Sequence, residues 1–260
     1  MTMRLASPLL GLLRFGVYAF LLAPIVIVVL ASLNAGNFLT FPPQGLSLRW
    51  FWTFLGNKVF IDAIIYSTIL AGSATAVSMV IGTMAALYVV RHAGPAREGW
   101  RILMLLPLIL PEILTAIALL FFFFEIGVGT EHKIALFTGH VLMTLPFIFL
   151  NVVTVLQGRD DACELAARTL GATRMVAFRR ITLPLIAPGL ATGAVFAFII
   201  SFDTFGISYM LKGTGSAPLP IQLYDYLRFN FTPEAAAVST VSIIVSLALV
   251  VVTDLLFGRK

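Results

Sequence analysis

Hydrophobic and polar positions alternate along this chain in long blocks rather than in short strands. Six apolar runs stand out: Leu12–Leu33, Ile61–Val90, Ile102–Gly127, Ile134–Gln157, Ile186–Leu211 and Ala235–Phe257. A bilayer core about 30 Å thick needs about 20 predominantly apolar residues in helical form. Each run meets that length, and none shows the two-residue alternation of a transmembrane barrel strand. The pattern therefore predicts an all-α membrane protein of about six transmembrane helices. Leu12–Leu33 is too long for the apolar core of a cleavable leader and is expected to be an uncleaved first span.

The polar segments between the runs differ in character. Asn34–Phe60 carries Phe41, Pro42 and Pro43 and then Trp50, Phe51 and Trp52, which suits a short helix lying at headgroup level. Val128–Lys133 and Arg91–Arg101 read as tight turns, and Lys212–Glu234, with Pro218, Pro220 and Pro233, as an ordered cap. No linker divides the chain, so residues 1–260 are expected to form one transmembrane domain.

Composition agrees with this class: 60% of residues are hydrophobic and only 11% charged, against about 25% charged in soluble domains. The single cysteine, Cys163, excludes a disulfide framework and a cysteine metal cluster. His92, His132 and His140 are scattered, with no ligand spacing, and are assigned surface or structural roles and no metal. The net charge of +5 reports topology. With both termini inside, twelve Lys or Arg fall on inner segments and five (Arg49, Lys58, Lys133, Lys212 and Arg228) on outer ones, as the positive-inside rule requires. The arginines are dispersed and have no aromatic platform, so nucleic acid is not an expected partner; membrane lipid is.

The polar segment of about 158–185 is charged, helical in pattern and broken by glycine. Asp161 and Glu164 have the spacing of a capping box. Leu165, Ala166, Ala167 and Leu170 continue a short helix. Gly171 stands where a left-handed residue ends it. A second short helix over about Arg174–Arg180 follows, and Pro184 and Pro188 mark the return to the membrane. The small face of Ala166, Ala167, Gly171 and Ala172 fits close docking into another protein, while an amphipathic connector resting on headgroups is the plainer alternative.

This segment resembles the cytoplasmic signature of binding-protein-dependent ABC importer permeases. Its pattern is Glu-Ala-Ala, three residues, Gly, nine residues, Ile, one residue and Leu-Pro. Ala166, Ala167, Gly171, Ile181, Leu183 and Pro184 fall on it in register. Leu165 stands where the pattern has Glu, with Glu164 one place earlier. The resemblance implies the type I importer permease fold with a cytoplasmic coupling helix, ATPase-coupling residues Glu164, Ala166, Ala167, Gly171, Ala172, Ile181, Leu183 and Pro184, and a bacterial inner-membrane location. It implies a second homologous permease subunit, two cytoplasmic ATPase subunits and an external solute-binding protein, periplasmic or a lipoprotein. ATP and magnesium would then sit on the ATPase. This chain has no phosphate-binding GxxxxGK[ST] loop, needs no cofactor and is expected to be a transport subunit rather than an enzyme.

Ser201–Phe205 and Ala217–Ala237 are similar to the second permease of spermidine/putrescine importers, and relatives carry iron, aminophosphonates or amino-acid derivatives. An ionisable residue within a span is a functional candidate by default. Asp203 lies among Phe198, Phe202, Phe205 and Tyr209, which together offer a carboxylate and cation–π faces to an amine. Glu112 follows Pro107 and Pro111 and serves either backbone groups freed by those prolines or the pathway. Glu125 reads as a solvated boundary residue. The expected substrate pathway is Asp203, Phe202, Phe205, Glu112 and Tyr209, suited to a small polycation. An ATP-independent secondary transporter would show an internal repeat, and none is visible.

Overall fold

A computed structural model describes residues 3–158, 162–215 and 217–257. The described residues are nearly all helical. In chain order the helices are α1 (Met3–Ser32), α2 (Arg49–Gly56), α3 (Lys58–Arg91), α4 (Arg97–Ile109), α5 (Glu112–Glu125), α6 (Lys133–Gln157), α7 (Ala162–Thr169), α8 (Arg174–Ala177), α9 (Leu183–Asp203), α10 (Gly206–Leu211), α11 (Leu219–Leu227) and α12 (Glu234–Phe257). Five helical stretches among the described residues are long and apolar enough to cross a membrane, or six if the bent pair α4–α5 is one span.

Three expectations are corrected. The third run is not one rod: α4 and α5 meet at a 100° bend. Pro111 caps α5 in an extended conformation, and an X-Pro step disfavours helix for the residue before it, so Leu110 is extended too. The fifth run also breaks, after Asp203, and resumes as α10. Thr204 donates its hydroxyl to Ile200 O at 2.6 Å, a back-bond that bends helices. At the other end, the expected stop between the second short helix and the membrane is absent. Arg174–Asp203 is one helical path through a π-helical turn at Phe178–Thr182. Pro184 falls in the first turn of α9, where its missing N–H costs least.

The chain forms two compact units, Met1–Ile61 with Leu223–Val245 and Asp62–Gln222 with Ser246–Lys260. In the first, Asn34 organises the loop after α1. Its Oδ1 accepts the N–H groups of Gly36 and Gln44, and its Nδ2 donates to Phe38 O and Thr40 Oγ1. Trp50 Nε1 in α2 donates to Asn34 O at 3.0 Å, so the expected short aromatic helix is tied to this loop. The buried Glu234 carboxylate accepts from Asn57 Nδ2 at 2.8 Å and from Tyr226 Oη at 2.9 Å. Burial pushes the Tyr226 phenol above its ordinary range; the Thr232 hydroxyl opposes this, and the hydrogen-bonded Glu234 carboxylate adds to it.

In the second unit, α6 and α9 make the most extensive helix pairing among the described residues. Gly189 and Gly193, with buried Ala197 one turn on, let the backbones meet. A Cβ on Gly189 would stand 2.5 Å from Val155 Cγ2 and 2.9 Å from Asn151 O, and one on Gly193 3.2 Å from Ile148 Cα. Lipid supplies no hydrophobic drive between helices, so such small-residue contacts carry the packing. Ile148 and Phe149, both fully buried, fill the core between α6, Ala86 and Val89 of α3, and Ile186 of α9. Ser78 of α3 donates to Val141 O or shares a proton with Thr144 Oγ1 of α6.

Candidate functional site

Two groups of chemistry-bearing side chains lie in the second unit, one at the break after α9 and one where the polar segment meets the end of α3.

At the break, buried His140 of α6 sits between Ser201, before the interruption, and Ser208, after it, at Nδ1···Oγ 2.8 Å and Nε2···Oγ 3.1 Å. Ser208 donates its own proton to Thr204 O at 2.8 Å, so it accepts from His140 Nε2–H. Nδ1 pairs with Ser201 Oγ, so the imidazole pins both sides of the break. A structural role for His140 was expected; its partners were not legible, because they lie 61 and 68 residues away.

Glu112, at the start of α5, reaches the same break. Its Oε1 accepts the backbone N–H of Ile207 at 2.9 Å and so caps α10. The prolines that precede Glu112 do not supply the group it satisfies. Gly206 allows the approach, since a Cβ there would lie 3.0 Å from Glu112 Cδ. Asp203 is exposed at the last turn of α9 and within electrostatic range of Glu112. Beyond the break, Phe205 and Tyr209 stack at 5.4 Å between centroids, both partly exposed, and Lys212 Nζ lies 6.0 Å over the Tyr209 ring. Phe202 stacks on Phe198 at 5.9 Å. The break thus brings Asp203, Glu112, Phe205 and Tyr209 to one place, while Phe202 belongs to the aromatic pair on α9. Glu125, at the far end of α5, is exposed.

In the polar segment, Gly171 has φ +91°. Gly171 N–H bonds Arg168 O and Ala172 N–H bonds Ala167 O, the paired pattern of a Schellman ending that glycine takes without steric cost. Thr173 Oγ1 then accepts from Val176 N–H and starts α8. Asp161, the expected N-cap of α7, lies outside the described residues. Glu164 is tied across the fold. Its Oε2 accepts from Arg91 of α3 and from Thr182 Oγ1, both at 2.6 Å. Burial alone would push this carboxyl up, but the Thr182 hydroxyl and the Arg91 and Arg168 guanidinium groups outweigh it and hold it below the usual carboxylate range. Arg91 and Thr182 were not singled out from sequence; Arg91 is 73 residues from its partner. Ala166 is exposed and Ala167 and Ala172 half-buried; Ile181 is half-buried and Leu183 and Pro184 are exposed.

Residues 78–259 match the family described as binding-protein-dependent transport system inner membrane component. The chain belongs to that family. It is a permease subunit of an ABC importer, a multi-pass membrane protein that serves transport. The permease is 30% identical over 246 residues to the spermidine/putrescine transport system permease protein PotC of Haemophilus influenzae, covering 95% of each chain. It is 28% identical over 229 residues to the putrescine transport system permease protein PotI of Escherichia coli, covering 86% of this chain and 81% of that one. Its fold is similar to a chain in the crystal structure of a bacterial ABC transporter involved in import of the acidic polysaccharide alginate, with TM-score 0.74, 18% identity and coverage of 98% and 96%. The type I importer permease fold expected from the polar segment is thus the fold of this chain.

Proposed function

We propose that this permease moves a small polyamine, of the spermidine or putrescine class, along a pathway that includes the break after α9. The observation that carries this reading is the exposed Asp203 carboxylate beside the stacked Phe205–Tyr209 pair, with Glu112 within electrostatic range. Carboxylate and aromatic faces together suit an ammonium group and would repel an anion. Lys212 Nζ lies 6.0 Å over the Tyr209 ring, a cation–π geometry that supports an ammonium at this face. The printed names of the similar PotC and PotI permeases point to the same cargo class.

The residues 158–185, including Glu164, Ala166, Ala167, Gly171, Ala172, Ile181, Leu183 and Pro184, serve on this reading as the coupling element that docks into cytoplasmic ATPase subunits. Two ATPases, a second homologous permease and an external solute-binding protein complete the assembly. ATP and magnesium belong to the ATPases, and both termini are cytoplasmic. One permease domain spans the chain. The Schellman turn supports a rigid docking element, because it fixes the angle between α7 and α8 without side-chain strain.

Uptake of radiolabelled spermidine into cells carrying the whole transporter tests the cargo and the site together. Asp203→Asn is expected to raise the apparent KM at least tenfold at normal membrane abundance, corresponding to about 1.4 kcal/mol of lost charge interaction. Unchanged spermidine uptake removes Asp203 from the pathway, and no uptake of any polyamine by the wild type removes the cargo assignment.

A further inference from the structure

A cavity of about 570 Å³ lies between the end of α3 and the polar segment, lined among others by Met84, Tyr88, Arg91, Glu164, Arg168 and Arg174. Its two ends differ in chemistry. Met84 is 66% exposed and Tyr88 45%, so the α3 side of the cavity is an apolar wall, and Leu165 of α7, 65% exposed, adds to the apolar lining. At the other end stand three guanidinium groups against the one carboxylate of Glu164. Arg91 is bonded to that carboxylate at 2.6 Å, and Arg168 and Arg174 are exposed.

The level of this cavity follows from length and from aromatic residues. α3 has 34 residues and is about 51 Å long at 1.5 Å per residue, against an apolar bilayer core of about 30 Å. Its last turns therefore pass through the headgroup region. Tyr88 stacks on His92 at 6.3 Å and meets Trp100 edge-on at 5.6 Å. Tyrosine and tryptophan collect at that level. Glu164, Leu165 and Arg168 face the cavity from α7, whereas Cys163 and Ala166, both exposed, do not line it and lie on another face of the same helix. An occupant of the cavity thus leaves that other face free.

We propose that this cavity is a binding site for an anionic phospholipid of the inner leaflet, its phosphate held by Arg168 and Arg174 and an acyl chain laid along Met84, Leu87 and Tyr88. The occupant is a lipid rather than free phosphate because most of the lining is apolar, and a lone anion would leave that part wet. The site bridges the end of α3 to α7 and α8, so its lipid braces the same segment that Glu164 and Arg91 tie. The inner-leaflet assignment rests on the cytoplasmic reading of residues 158–185; the lipid contact itself does not depend on transport.

The test uses the assembled transporter in nanodiscs containing phosphatidylglycerol with a photoreactive acyl chain, irradiated and mapped by peptide mass analysis. Label is expected on peptides covering residues 84–92 and 165–178. Two unoffset guanidinium groups, at about 1 kcal/mol each, predict about thirtyfold preference over the matching phosphatidylcholine probe. Arg168→Gln with Arg174→Gln should bring the preference close to one, and the Lys–Lys double substitution should retain most of it. Equal labelling by the two lipids, labelling elsewhere only, or a cross-link from this cavity to a protein chain overturns the proposal. Unchanged preference in the double Gln variant does so as well. Selective labelling of these peptides together with full coupling in Gly171→Val supports the lipid site while removing the coupling reading.

Discussion

Glu112 Oε1 accepts the backbone N–H of Ile207 at 2.9 Å, joining the start of α5 to the start of α10 across 95 residues of chain. Each helix begins just after an interruption in a run that is apolar throughout. A buried backbone donor with no acceptor costs about 1–3 kcal/mol, so this bond holds two broken spans in one arrangement.

Glu112→Ala is therefore expected to lower the stability of the purified permease by about 2 kcal/mol, read as the midpoint of thermal unfolding in detergent. Glu112→Gln keeps an oxygen acceptor and should unfold near the wild-type midpoint while reducing spermidine uptake. Gly206→Val should resemble Glu112→Ala, since its side chain would displace the carboxylate. Equal stability of the Ala and Gln variants would remove the capping role.

His140→Phe should destabilise by about 2 kcal/mol, because buried Ser201 loses a hydrogen-bond partner and Ser208 its second one. Amide exchange on Phe205–Leu211 should accelerate more than exchange on α6 itself. Uniform acceleration over both elements would mean that the imidazole merely fills space.

The Glu164 carboxyl is held below the usual carboxylate range by Thr182 and Arg91 against the effect of burial. The stability it contributes is present above the pKa of the unfolded chain and is lost as pH falls through the folded value. Wild-type stability should thus exceed that of Glu164→Gln by about 1 kcal/mol at neutral pH, the pair being only partly buried. The difference should vanish below the usual carboxylate range. A gap that persists in strong acid would contradict the ion-pair account.

Gly171→Val forces a β-branched residue to φ +91°, at about 1–2 kcal/mol of local strain. The membrane fold should persist, while solute-stimulated ATP hydrolysis by the assembled transporter falls at least tenfold. Gly171→Asn, which tolerates this conformation better, should retain most of it. Full coupling in the Val variant would remove the rigid docking turn from the mechanism.

Much of this architecture was legible along the chain. Apolar runs of membrane length report themselves through local composition, and the positions of Gly171, Pro184 and the Ile-Leu-Pro end of the polar segment identify the family pattern. Gly189 and Gly193, spaced four apart in an apolar helix, also carry a readable signal for close helix packing, independent of charge and of the family pattern. Ala197 extends the same stripe by one turn.

What the sequence alone determined was the class: a helical membrane protein whose apolar runs are interrupted by a charged, glycine-broken segment. Runs of Ile, Leu and Phe read alike whether the helix is straight or broken, because hydropathy records transfer from water and not backbone direction. Only the tertiary structure decided that the third and fifth runs bend at Leu110 and Thr204. It alone brought Glu112 to Ile207, His140 to Ser201 and Ser208, and Arg91 to Glu164. Those pairs are set by hydrogen bonds between residues tens of positions apart. The first two form because a polar group buried among apolar helices must find a partner wherever the packing presents one; the Arg91–Glu164 pair, only partly buried, forms where the end of α3 meets α7.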